Sequence, residues 1–266
     1  MKKGMRGRWL AWLILALSVC TMVVSGIKWW QIEQRYRQAD DFYARLQGLT
    51  DGVNSPGFIP KEGSENVYGK VDFASLQALN ADIVAWLYCQ DTVIDYPVLR
   101  ADDYDFYLHH LPDGTYNDNG ALFIDYNNAA DFSGALTIIY GHHTKNGAMF
   151  GSLEGYKRQD YYESHPDVLL YTEQGVYRIE LLYGCVIGVG QWRQRGFMFA
   201  EHRAELLAYA AENTTFVCGD AGGLTGVDGL EVGALADEDR IVVLSTCSYE
   251  FDGARYVVIG VLRQID

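Results

Sequence analysis

The chemistry this chain could perform rests on a thiol, a guanidinium and an imidazole at the ends of apolar runs. Cys247 ends the β-branched run Ile241-Val242-Val243-Leu244-Ser245-Thr246. Arg255 opens the next run, Tyr256-Val257-Val258-Ile259-Gly260-Val261-Leu262. The turn-like stretch 248–254 between them makes the pattern strand, loop, strand. If the two strands pair as a hairpin, facing residues come within about 5 Å of each other. A cation there favours thiolate and can hold an oxyanion. A third apolar run, Ala135-Leu136-Thr137-Ile138-Ile139-Tyr140-Gly141, ends at His142. A Cys, a His and an Arg, each at the tip of a predicted strand, suggest a cysteine transferase or hydrolase.

On chemistry alone, either His142 or His143 can be the base, and continued alternation would point His143 to the opposite face. His109, His110, His165 and His202 sit in helix-like or turn contexts and receive no role. Of the five cysteines, Cys89, Cys185 and Cys218 lie in apolar or β-like surroundings and read as buried small hydrophobes. No CxxC or His-Cys cluster has metal-ligand spacing, so no metal or cofactor is expected.

The elements that must position these groups are mostly strands. Residues 92–99, 121–125, 135–141, 168–172 and 176–189 read as strands, with Glu173-Gln174-Gly175 as a hairpin turn. Pro97 marks 92–99 as an edge strand. Short helices are expected over 72–79, capped by Asp72, and over 102–111, 149–156 and 159–163. The clearest helix is 200–212. The stretch 219–240 is Gly-rich and acidic and reads as a loop. Its acids lack the spacing of a calcium loop.

The N-terminus reads differently. Lys2, Lys3, Arg6 and Arg8 precede an uncharged apolar run, 9–27, which as a helix spans roughly the 30 Å of a bilayer core. Lys28-Trp29-Trp30 closes it. We read 1–8 as a basic cytoplasmic segment, 9–27 as a transmembrane helix, 28–70 as a juxtamembrane helix and linker, and 71–266 as the domain outside. A cleaved signal peptide is the competing possibility, but no clear Ala-x-Ala site follows the run. The formal net charge of −14 argues against nucleic-acid binding, which wants a basic footprint.

Several motifs in order resemble one family. Leu244-Ser245-Thr246-Cys247 with Arg255 looks like the signature of sortases. Tyr140-Gly141-His142-His143 followed by Asn146-Gly147-Ala148-Met149-Phe150 resembles the histidine motif of class B sortases. Asn80-Ala81-Asp82-Ile83-Val84-Ala85-Trp86-Leu87, Ile94-Asp95-Tyr96-Pro97-Val98-Leu99, Tyr104-Asp105-Phe106-Tyr107-Leu108 and Gly120-Ala121-Leu122-Phe123-Ile124-Asp125 resemble that class's opening elements. The resemblance covers residues 71 to 266.

It implies a mostly β fold, a closed eight-stranded barrel with helical inserts, behind a single N-terminal anchor. It implies a transpeptidase at the outer face of a Gram-positive cell membrane. Cys247 would attack the Thr carbonyl of a sorting signal and form a thioacyl enzyme. His142 would protonate the leaving amine and later deprotonate the incoming one. Arg255 would orient substrate and stabilise the oxyanion. The helix 200–212 would form one wall of the groove. Class B signals are of the Asn-Pro-x-Thr or Ser/Pro-Pro-x-Thr-Gly type. The partners would be surface proteins carrying a C-terminal sorting signal and, as acceptor, a peptidoglycan cross-bridge amine or a pilin lysine. Ser248 and Tyr249 stand where some members carry acids, which puts an auxiliary carboxylate in doubt. Two alternatives stay open: a secreted cysteine peptidase that hands the acyl group to water, and a non-enzymatic membrane-tethered wall-binding β-domain.

Overall fold

The computed structural model describes residues 3–51, 69–144, 147–218, 235–236 and 238–265. The chain divides into two compact units, Met1–Phe42 and Tyr43–Asp266. In the first, helix α1 (Lys3–Gln47) leaves the apolar side chains between Trp12 and Ile27 exposed. It is long and apolar enough to cross a membrane.

The second unit begins within the last turns of α1, Tyr43 to Gln47, and a two-stranded ribbon follows, β1 (Thr50–Asp51) against β2 (Lys70–Val71). Helix α2 (Phe73–Leu79) follows, and Asp72 caps it by accepting the Ser75 N–H at 3.1 Å. Eight strands then close a barrel: β3 (Ile83–Tyr88), β4 (Asp95–Arg100), β5 (Leu122–Ile124), β6 (Leu136–Tyr140), β7 (Asp167–Thr172), β8 (Gly175–Gly188), β9 (Arg240–Cys247) and β10 (Ala254–Gln264). Their order around the wall is β10-β8-β7-β3-β4-β5-β6-β9. The pairs β4–β5 and β6–β9 are parallel, and the others are antiparallel. Trp86, Leu87, Leu99 and Phe123 are all buried, and because Trp86 and Leu87 are consecutive on β3 they point to opposite faces of the wall, so both faces are covered there. The indole N–H of Trp86, which must find an acceptor when buried, donates to Asp95 Oδ1 at 2.7 Å.

Closure removes sheet edges, so Pro97 does not mark one. Strand β4 pairs on both sides, and Pro97 fits because the β5 ladder begins one residue later, at Val98. The long β8 is irregular at Leu182: Ile259 pairs with Tyr183 and Gly260 with Leu181, leaving one residue over. A Cβ at Gly260 would meet Ile179 Cγ2 at 2.6 Å and Glu180 O at 2.7 Å, which is why glycine stands opposite the bulge.

One insert is shorter than the sequence suggests, and the others form close to where it places them. Over 102–111 only a 3₁₀ turn forms, Phe106–Leu108, because Asp103 Oδ1 accepts the N–H of Asp105 and of Phe106, both at 2.8 Å. The stretch 149–163 gives a 3₁₀ helix, Phe150–Lys157, and helix α3 (Gln159–Ser164). After β8 the chain turns at once into helix α4 (Val189–Gln194), where an extended run to 189 was expected. The helix expected over 200–212 begins as a 3₁₀ turn, Ala200–His202, and continues as α5 (Arg203–Asn213). Most of the acidic loop 219–240 lies outside the described residues.

Candidate active site

Strand β9 stands between β6 and β10, and its pairing brings the three candidate residues to one rim. Parallel to β6, it pairs Ser245 with Tyr140. His142 and Cys247 therefore each lie two residues past a paired position, at the same end of the two strands. Beyond the ladder the strands stay joined: Gly141 N donates to Ser245 O at 3.1 Å, and Thr246 Oγ1 donates to Gly141 O at 2.9 Å. Antiparallel to β10, β9 pairs Cys247 with Arg255. Directly opposed residues have Cα atoms about 4.5–5.5 Å apart, so the hairpin that the two apolar runs imply sets Cys247 and Arg255 side by side.

The three side chains line one cavity of about 130 Å³, together with Tyr104, Leu108, Phe123, Tyr140, Gly141, Ser245 and, from the α4 region, Val189, Trp192, Arg193 and Met198. Cys247 is exposed. Ser245 is buried, and its Oγ has no hydrogen-bond partner among the described residues. The other wall on this side comes from α4, an element the sequence did not announce.

His142 is half-buried, and its Nε2 lies 2.6 Å from the Leu108 carbonyl oxygen. A carbonyl only accepts, so Nε2 carries the proton and Nδ1 is left to exchange one. Burial pushes the His142 imidazole below its ordinary value, against a smaller opposing effect of the Leu108 bond. The ring is therefore neutral near neutral pH. His143 is not among the residues lining the cavity. Its Nδ1 donates to the Cys247 carbonyl oxygen at 2.9 Å, and Glu154 Oε1 lies 3.7 Å from the same nitrogen. Its ring packs edge-on against Tyr249.

The Arg255 guanidinium lies over the ring of Tyr140, 5.4 Å from its centroid. Among the described residues no carboxylate pairs with it. The loop after Cys247 is pinned from behind by Lys157, whose Nζ donates to both oxygens of Glu154 at 2.7 Å, to Ser248 Oγ at 3.1 Å and to Glu250. Burial works against the Lys157 charge. The two hydrogen-bonded carboxylates outweigh it and hold Lys157 above its ordinary value. Lys157 is thus a cation holding a loop, not a base for Ser248. Glu154 and Glu250 are bound to Lys157 beside Ser248, and neither is among the residues lining the cavity.

Three of the other thiols, Cys89, Cys185 and Cys218, are unsuited to attack. Burial pushes Cys89 up to about 11 and Cys185 up to about 12, and it raises Cys218. Among the described residues no group of three His, Cys, Asp or Glu side chains is placed to hold a metal ion.

Comparison with known proteins gives a consistent answer. No protein-family model matches the chain. Sortase B of Listeria monocytogenes is 41% identical over 118 residues, which are 44% of this chain and 48% of that protein. Sortase B of Staphylococcus aureus is 29% identical over 171 residues, 64% of this chain and 66% of that protein. The chain thus spans about half the length of the first of these relatives and under two thirds of the second. The crystal structure of Clostridium perfringens sortase B superimposes with a TM-score of 0.61 at 27% identity, covering 73% of this chain and 100% of that one. With the closed barrel and the Cys, His and Arg motifs meeting at its rim, the chain is similar in sequence and in fold to class B sortases.

Proposed function

We propose that this chain is a membrane-anchored cysteine transpeptidase that cuts a sorting signal after Thr and transfers the acyl group to an amine. The observation that carries this is the shared cavity of Cys247, His142 and Arg255, with Arg255 directly opposite the thiol and unpaired by any described carboxylate. Cys247 Sγ attacks the Thr carbonyl while its proton passes to neutral His142. Arg255 holds the oxyanion of the tetrahedral intermediate. His142 then gives that proton to the leaving amine as the peptide bond breaks, and a thioester remains. An incoming amine attacks the thioester and loses its proton to His142; the Cys247 thiolate leaves and takes that proton back from His142, which restores the enzyme. An acyl group that must reach an amine rather than water benefits from a walled cavity, here closed by Tyr104, Trp192 and Met198.

The substrates would be surface proteins with a C-terminal sorting signal. The acceptor would be a peptidoglycan cross-bridge amine or a pilin lysine. Solved sortase B structures include a Staphylococcus aureus sortase B–substrate complex and a sortase B complexed with triglycine, which supports a peptide donor and a glycyl amine acceptor. The apolar stretch 9–27 would be the single anchor, with the basic N-terminus in the cytoplasm and residues 71–266 outside.

The test is mass spectrometry of the chain in detergent micelles with Asn-Pro-x-Thr peptides and triglycine. The expected product is the peptide cut after Thr and joined to triglycine, with an acyl adduct on Cys247. Loss of both in Cys247→Ala is required. Release to water whatever amine is offered would mean a peptidase, and no adduct at all would favour a wall-binding domain.

A further inference from the structure

Asp125 follows β5 and is 1% exposed. Four hydrogen bonds run into its carboxylate. Tyr140 Oη donates to Oδ2 at 2.9 Å and Tyr104 Oη to the same oxygen at 3.0 Å. Asn127 gives its backbone N–H at 2.9 Å and its Nδ2 at 2.8 Å to Oδ1. Every bond is donated to the side chain, the pattern a carboxylate accepts. Among the described residues no lysine or arginine forms an ion pair with it. Burying a carboxylate without a cation is costly, and a neutral side chain would serve simple packing at less cost. The charge therefore calls for a use.

Its use is visible one ring away. Tyr140, the phenol bonded to Asp125, is the ring over which the Arg255 guanidinium lies. Tyr104, the second phenol, packs edge-on against Tyr140 at 5.8 Å between centroids and also lines the cavity. Burial and the Asp125 carboxylate hold the Tyr140 hydroxyl far above its ordinary value, so it keeps its proton and remains a donor. A phenol that donates to a carboxylate is more electron-rich, and a cation–π contact grows with the negative charge of the ring face. Building on the function proposed above, we propose that Asp125 is the positioning residue for Arg255. It fixes the Tyr140 ring through the phenol hydroxyl and polarises the face on which the guanidinium rests. Arg255 thereby stays aimed at the cavity without a carboxylate partner that would neutralise it.

The test uses the full chain in detergent micelles and two independent readouts. The first is a kinetic cycle with an Asn-Pro-x-Thr peptide and triglycine. Asp125→Asn should lower kcat about ten- to a hundredfold with KM little changed. In a Tyr140→Phe background the same substitution should cost little more, because the link it acts through is already cut. An equal loss in both backgrounds overturns the proposal. The second readout needs no substrate. The Arg255 Nε–H resonance, shifted by the ring current of Tyr140, should move toward its value in Tyr140→Leu when Asp125→Asn is introduced. An unmoved resonance overturns the proposal even if no transfer reaction is found. Loss of transfer in the parent protein together with a moved resonance would overturn the transpeptidase assignment and leave the positioning role intact.

Discussion

Replacing Gly141 by alanine tests how tightly the histidine motif is built. A Cβ at this position would sit 2.4 Å from Leu122 Cδ2, and 2.7 and 2.8 Å from Cδ2 and Cγ of Phe150. Leu122 and Phe150 are fully buried. The Phe150 N–H also donates to the His142 carbonyl at 3.0 Å. Neither neighbour can swing into solvent, so the backbone on one side or the other must give. Overpacking of this kind costs about 1–3 kcal/mol. The reduced freedom of the unfolded chain returns about 0.4–1 kcal/mol. A net loss of about 1–2 kcal/mol lowers Tm by roughly 2–8 °C in a unit of this size. The displacement falls on the residue after Gly141, which is His142, and a shift of about 1 Å in a reacting group costs about a hundredfold in rate. Urea unfolding followed by tryptophan fluorescence, paired with the triglycine transfer rate, reads both effects. A Gly141→Ala variant as stable as the parent and equally active would refute the claim that the small residue is there for space.

Other outcomes follow from the same geometry. Because burial lowers the His142 value below the unfolded one near 6.5, the unfolded chain takes up that proton first as pH falls. The stability tied to neutral His142 is then complete above about pH 6.5 and is lost progressively below it. His142→Gln should flatten that part of a urea midpoint-versus-pH curve, and an unchanged slope would contradict the burial argument. Asp95→Ala leaves the Trp86 indole N–H without its acceptor and should cost about 1–3 kcal/mol in urea unfolding, whereas Asp95→Asn should cost less. His142→Ala should abolish transfer, while His143→Ala, which frees the Cys247 carbonyl and removes ring contacts with Tyr249 and Glu154 away from the cavity, should be mild. The reverse order would show that the wrong imidazole carries the proton. Arg255→Lys should impair transfer strongly, because a point charge replaces a planar fork, and near-parent kinetics would argue against an oxyanion role.

The parts of this structure that local sequence encodes were legible. The two apolar runs around 248–254 announced the β9–β10 hairpin, and a hairpin's register follows from its turn, so the pairing of Cys247 with Arg255 could be foreseen. The Asp72 cap was likewise legible. What depended on distant partners was not. The parallel pairing of β6 with β9 carries no local signal, so the sequence placed His142 at a strand end without saying whose neighbour it was. Pro97 suggested an edge because the chain gives no hint that the sheet closes or where the β5 ladder starts. Helix α4 was missed because its N-cap, Gly188, makes no side-chain capping bond and the apolar run continues across the boundary. The bond that the Tyr140 hydroxyl donates to Asp125 belongs to the tertiary fold alone, although both residues lay within the motifs that carried the family resemblance.

The β6–β9 ladder also bears on the order of folding. The hydrogen bond from His143 to the Cys247 carbonyl closes a separation of 104 residues, and the bond from Thr246 to Gly141 closes 105. Loop-closure entropy makes contacts of this range slow to form. The β9–β10 hairpin is local and can bring Arg255 to the thiol early, but the histidine arrives only when the barrel wall is joined. A chain in which only the hairpin has formed would hold Cys247 beside Arg255 before His142 joins them, and under the function proposed above competence for acyl transfer would appear together with the completed barrel.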